Sequence, residues 1–214
     1  DWPAELHKIL QSRNMPERTF EVINAGVAGY SSYQGVQRFL QEWEKYQPDL
    51  IFFLFVWNDI SKGIGPSDKS FKPKSPLLVQ SLRALIQYRS YQVIQHYVIS
   101  RGLYEKRQQS PLRVPLDDYL ENMTSFGEVG RVQDIEVVFL TRPYRATTAE
   151  MLKNLDWRSR VPNYNQALSE FARTRGEHVI DVQRYFEYET EGLFMDETHF
   201  SEKGMTEMAQ FLIR

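Results

Sequence analysis

Leu50-Ile51-Phe52-Phe53-Leu54-Phe55-Val56 places apolar side chains at every consecutive position. A half-exposed strand or an amphipathic helix would interrupt such a run with polar residues, whereas a parallel strand buried on both faces would not. Three other short runs repeat the signal: Phe20–Asn24, residues 135–141 and residues 178–182. Helical spacing fills the intervals. Trp2, Leu6, Ile9 and Leu10 share a stripe over residues 2–13, and Val36, Phe39, Leu40 and Trp43 share another that Pro48-Asp49 stops. Tyr164, Leu168, Phe171 and Ala172 precede a closing Gly176, and Met205, Met208, Ala209 and Leu212 follow Ser201, a good N-cap. Strands alternating with helices predict one α/β domain over residues 1–214, a three-layer α/β/α structure on a parallel sheet. Ligands of such sheets bind beyond the carboxyl ends of the strands, so the loops there carry the chemistry.

Composition narrows that chemistry. With no cysteine, the chain has no disulfide, no thiolate metal site and no cysteine nucleophile. Its four histidines form no H-E-x-x-H or other clustered ligand spacing, so no metal site is expected. No apolar run reaches membrane-spanning length and the N-terminus lacks a signal-peptide pattern. One stretch, about residues 61–115, departs from the rhythm: it has no clear strand, and an amphipathic helical run from about Leu77 to Leu103 lies between proline-containing loops. Ten Lys/Arg there against Asp68 and Glu105 give a net +8, leaving −10 on the rest of a chain whose formal charge is −2. This helical insertion is long enough to form a lid or a second cleft wall. Its basic face is read either as simply solvated or as a contact for an anionic membrane or polysaccharide, and nothing points to nucleic acid.

Three loops after predicted strands bear polar groups of one kind. In Asn24-Ala25-Gly26-Val27-Ala28-Gly29-Tyr30-Ser31, Gly29 lets a backbone N–H approach a substrate oxygen without a side chain in the way. In Val56-Trp57-Asn58-Asp59, the Asn58 amide is a donor at the end of the central strand; the alternative is an Asx-turn that merely ends it. In Asp196-Glu197-Thr198-His199, the carboxylate can accept from Nδ1 of His199 and leave Nε2 free to take a proton from a hydroxyl. Trp57, Tyr30 and Tyr33 are candidates to line an acyl or sugar pocket, and Arg142 and Arg145, after the third visible strand, to meet an anionic part of a substrate. Core aromatics and surface arginines are the plainer readings of those residues.

Taken in order, these blocks resemble the SGNH (GDSL-type) hydrolase family over nearly the whole chain. Gly29 falls in the second block, Asn58-Asp59 in the third, and Asp196 with His199 in the last, followed by Ser-Glu-Lys-Gly-Met. Trp2-Pro3-Ala4-Glu5-Leu6 resembles the helix after the family's first loop, and Phe55–Ile60 with its insertion is similar to a bacterial clade often bearing an N-terminal membrane anchor. Trp57 stands near Asn58 where many relatives carry glycine. The first block, Gly-Asp-Ser, is absent from this chain. Ser31, Ser32 and Ser67 are poor substitutes on geometric grounds.

The resemblance implies a flavodoxin-like fold and a serine esterase removing a short acyl group from a carbohydrate or lipid ester. His199 would be general base, Asp196 its orienting carboxylate, and Gly29 N–H with the Asn58 amide the oxyanion hole; no cofactor is required. The nucleophilic serine and a central strand are expected upstream of Asp1, and the chain by itself is expected to be inactive. A periplasmic or membrane-anchored location is favoured over the cytoplasm, and the oligomeric state is open. Two alternatives remain: O-acyl transfer to a glycan, and a non-catalytic module that binds glycan or lipid.

Overall fold

The computed structural model describes residues 1–13, 18–63, 65–71, 110–145, 160–187, 191–196 and 198–214. The predicted helical run from Leu77 to Leu103 therefore lies outside the described residues. Helix α1 (Trp2–Ser12) opens the chain, its first turn capped by Asp1, and α2 (Ser32–Tyr46) follows, closed at its N-terminus by a reciprocal box between Ser31 and Gln34. Strand β1 (Leu50–Phe53) leads, past a 3₁₀ turn at Asp68–Ser70, to α3 (Leu116–Gln133) and β2 (Glu136–Leu140). Then come α4 (Val161–Arg175), β3 (His178–Ile180), α5 (Val182–Glu187) and α6 (Glu202–Leu212).

The three strands are parallel in the order β1-β2-β3, with Phe53 opposite Phe139 and Leu140 opposite Ile180. Alternation along each strand divides the core into two layers. Phe53, Val137 and Phe139 face Val36 of α2, Met123 and Phe126 of α3, and Leu168 and Phe171 of α4. Val138 and Leu140 face Val182 and Phe186 of α5 and Met208 of α6, joined by Trp2 of α1 and Phe52. Both faces of the sheet are thus covered by helices, as the uninterrupted apolar runs predict.

Three expectations are corrected. β1 ends at Phe53 rather than Val56, because the chain turns out of the sheet to form the loop described below. The run at 178–182 is a strand only to Ile180, and Val182 begins α5 with its side chain in the core. Phe20–Asn24 joins no sheet among the described residues. It runs along the surface, held by Gln11 Nε2 donating to the Phe20 carbonyl (2.9 Å) and by Asn24 Nδ2 donating to Asp1 (2.9 Å). A strand needs a ladder partner, and β1, the outer strand of the sheet, does not pair with it. Ile23, Val27 and Leu50 are left 44%, 38% and 43% exposed.

The stem of the insertion is built from both its ends. Lys62 and Leu112 form an antiparallel bridge, Arg113 N–H donates to the Ser61 carbonyl (2.8 Å), and Val114 N–H donates to the Asp59 carbonyl (3.1 Å). Departing and returning chain therefore meet directly behind the Asn58 loop.

Candidate active site

Beyond β1 the backbone is strained. Val56 has φ of 109°, a region that a β-branched residue enters only when its surroundings compel it. Its side chain is buried, its N–H donates to Asp59 Oδ2 (2.8 Å), and its carbonyl accepts from Ile60 N–H (3.0 Å). Asp59 has no exposed surface; its Oδ1 accepts from Ser32 N–H (2.8 Å) and Ser32 Oγ (2.6 Å), and Asn122 Nδ2 donates to that hydroxyl (2.9 Å). Burial raises the Asp59 pKa, against the pull of these hydrogen bonds. This knot holds Asn58, whose Nδ2 donates to the Tyr30 carbonyl at 2.9 Å, leaving a second amide hydrogen for another acceptor. Asn58 is therefore a bridge between loops and not an Asx-turn. Asp59 and Ser32 were not legible as its supports, since their contact joins residues 27 positions apart.

The glycine loop closes as a turn, with Tyr30 N–H donating to the Val27 carbonyl (3.1 Å) and Gly29 at φ of 82°. No atom lies within 4 Å of where a Gly29 Cβ would stand, so conformation and not crowding selects glycine. Gly29 N–H makes no hydrogen bond among the described residues, and its carbonyl accepts from Arg113 (2.8 Å). Arg113 also donates to Gln34 (2.8 Å) and pairs with Asp68 (2.9 Å), clamping the loop to the insertion stem.

The Asp196–His199 loop sits between a Phe194–Phe200 bridge and the Ser201 cap of α6. Asp196 Oδ2 lies 2.8 Å from His199 Nδ1. Asp196 Oδ1 accepts from the backbone N–H groups of Thr198 (2.7 Å) and His199 (2.8 Å) and from the Thr198 hydroxyl (3.0 Å). Partial burial would raise this carboxyl, but the Thr198 N–H and the imidazole hold it well below the usual carboxylate range. The pair is open to solvent, with 69% of the His199 and 49% of the Asp196 side chain exposed. Solvent screens the charge attraction, so backbone hydrogen bonds to Asp196 do most to fix the geometry. Nε2 of His199 has no partner among the described residues.

Arg142 joins this loop to the Asn58 loop. One guanidinium nitrogen donates to the Thr198 carbonyl (3.2 Å), and the guanidinium carbon stands 5.6 Å from the Trp57 ring centre. The Arg142 backbone is clasped by Asn165, which accepts from its N–H (2.8 Å) and donates to its carbonyl (2.9 Å). A chain of contacts thus runs from Gly29-Tyr30 through Asn58 and Trp57 to Arg142 and Thr198-His199. Trp57 and Tyr33 also pack on the core, as their plainer reading anticipated. Ser31 donates to Asp68 (2.6 Å), Ser32 to Asp59 and Ser67 to Ser70 (3.2 Å), so none of these hydroxyls is directed to His199. No group of three or more His, Asp or Glu side chains able to hold a metal occurs among the described residues.

A buttressed donor loop and an imidazole oriented by a carboxylate at one sheet edge suit acyl transfer through a tetrahedral intermediate, the chemistry of α/β acyl hydrolases. The assignment can be made narrower. The model of the GDSL-like lipase/acylhydrolase family matches residues 1–206, and the chain belongs to that family of ester-hydrolysing enzymes. Solved structures share the fold. The acetyl xylan esterase AlAXEase has a TM-score of 0.66 at 14% identity, with 99% of this chain and 88% of that one covered. A catalytic mutant of an acetylxylan esterase from Geobacillus stearothermophilus gives 0.65 at 16% identity, covering 100% and 79%. The lipase/acylhydrolase from Enterococcus faecalis gives 0.63 at 17%, covering 100% and 83%. No curated protein matches the sequence.

Proposed function

We propose that this protein hydrolyses a short acyl ester of a carbohydrate, with His199 as general base and then general acid and Asp196 holding its tautomer. Gly29 N–H and the second Asn58 amide hydrogen are the oxyanion donors in this reading. The observation that carries it is the 2.8 Å Asp196–His199 hydrogen bond with Nε2 unengaged. The carbohydrate part is supported by the two acetylxylan esterases among the structural neighbours. Two structures of the Geobacillus enzyme are catalytic mutants, one replacing a serine and one a histidine.

The attacking serine is proposed to precede Asp1, on a strand laid between β1 and the extended Phe20–Asn24 segment. The edge of β1, unpaired among the described residues, the exposed Ile23, Val27 and Leu50, and the engaged hydroxyls of Ser31, Ser32 and Ser67 all favour that placement. A fluorophosphonate probe tests it in the protein produced with its upstream coding sequence. The expected adduct sits on a serine upstream of Asp1, and His199→Ala suppresses it. An adduct on Ser31, Ser32 or Ser67, or labelling unaffected by loss of His199, would overturn the assignment.

A further inference from the structure

We propose that Arg142 makes this site selective for esters that carry a carboxylate close to the scissile bond, an inference that rests on the hydrolase reading above.

Arg142 stands two residues beyond β2, and the Asn165 clasp fixes its backbone from both sides. Its side chain reaches between two loops of the site, to the carbonyl next to His199 and over the ring next to Asn58. The residue as a whole is half-buried, but its Nε is sealed from solvent and meets no hydrogen-bond acceptor. No carboxylate pairs with the guanidinium among the described residues. Asp196, two residues before the Thr198 acceptor, is committed to His199 and Thr198. Desolvation alone lowers the Arg142 pKa to about 9.

A cation taken out of water without a counter-charge is destabilising, and none of the described residues supplies one to Arg142. The contrast with the nearby stem of the insertion is direct. Arg113 is neutralised by Asp68, and Lys69 by Glu121 and Asp118. An incoming carboxylate would supply the missing charge. The planar guanidinium presents paired donors that match its two oxygens, and it lies over the Trp57 ring at the mouth of the Asn58 loop. A neutral acetyl ester would leave the cation as it is. The carboxylate has two chemical sources: the acyl group, as in a dicarboxylic hemiester, or the alcohol, as in an acylated uronic acid.

The test compares matched substrates with the full-length protein. One arm sets 4-nitrophenyl hemisuccinate against 4-nitrophenyl acetate, and the other sets O-acetylated galacturonate against O-acetylated galactose. The expected result is a preference in kcat/KM of about tenfold or more for the charged member of at least one pair, the size of one charge-assisted hydrogen bond. Arg142→Gln lowers kcat/KM for the charged member more than for the neutral one, so that the preference is lost, while Arg142→Lys keeps part of it because the charge survives without the fork. The arm that responds identifies the source. Absence of preference in both arms, or equal loss on charged and neutral members in Arg142→Gln, would mean that Arg142 only ties loops together, and would overturn the proposal. If wild type turns over no ester, the hydrolase reading fails separately, and calorimetric titration with succinate and with galacturonate decides. Binding lost in Arg142→Gln supports the carboxylate site, and no binding, or binding indifferent to the substitution, sinks it.

Discussion

His199 is held by a carboxylate that is itself held by the backbone, and this ordering sets what each substitution does. Asp196→Asn keeps an oxygen for the Thr198 and His199 N–H groups but presents an amide to Nδ1, favouring the wrong tautomer. In the active enzyme kcat is expected to fall by about 10³- to 10⁴-fold with the fold intact, which ester turnover and circular dichroism together would check. Asp59 makes the opposite case, a buried carboxylate whose partners are Ser32 and Val56 and not the imidazole. Asp59→Asn would turn an amide donor toward either Val56 N–H or the Ser32 donors, costing about 1–3 kcal/mol and releasing the strained Val56 that aims Asn58. Urea unfolding should record the destabilisation. Burial makes the folded Asp59 carboxyl bind its proton more tightly than the unfolded one. The contribution of Asp59 to stability is therefore largest below the ordinary carboxylate range and is lost as pH rises through the raised value, a slope that Asp59→Asn should lack. Sequence showed Asn58, Asp196 and His199 through residue type and order. It did not show Asp59, Ser32 or the Asn165 clasp on Arg142, because each of those contacts joins residues more than 20 positions apart.

Helix α6 positions the histidine loop through one close approach. A Cβ at Gly204 would stand 2.0 Å from the Leu193 carbonyl oxygen, a backbone atom that cannot step aside. Gly204→Ala is expected to destabilise the protein by about 1–3 kcal/mol and to displace the loop carrying His199, seen as a lower melting temperature together with reduced turnover. The Ser201 cap, whose Oγ accepts from Gly204 N–H (3.1 Å), was legible from the Ser-Glu-Lys-Gly pattern. Helix α4 was equally legible, with Gly176 in the left-handed conformation ending it as expected. Helix α3 was not: Gly127 and Gly130 blur its apolar stripe and lower its intrinsic propensity. Its burial against Phe39 and Phe53 makes it a helix, a contribution that no local window contains.

Among the described residues, β1 is an edge strand made of residues suited to a central one. A parallel partner laid along it would pair its backbone and cover Leu50, so the protein extended upstream of Asp1 should melt several degrees higher than residues 1–214 alone, as calorimetry would register. Equal melting temperatures would remove the proposed strand from that slot. The charge of the 61–115 segment belongs to the same scale. Binding to anionic vesicles or polysaccharide is expected to weaken as salt is added, and cosedimentation insensitive to salt would count against it.

Periodicity, caps and the order of three polar loops determined, from the sequence alone, an α/β layer structure and the residue types gathered at its carboxyl edge. Those signals are local, since each depends on neighbours within a few turns or one strand. Tertiary structure alone decided that Phe20–Asn24 pairs with no strand among the described residues, that Val56 is strained onto Asp59, and that Arg142 lies between Trp57 and Thr198 with no carboxylate partner among them. Each depends on which distant segment comes alongside, and burial and charge exist only once that has happened.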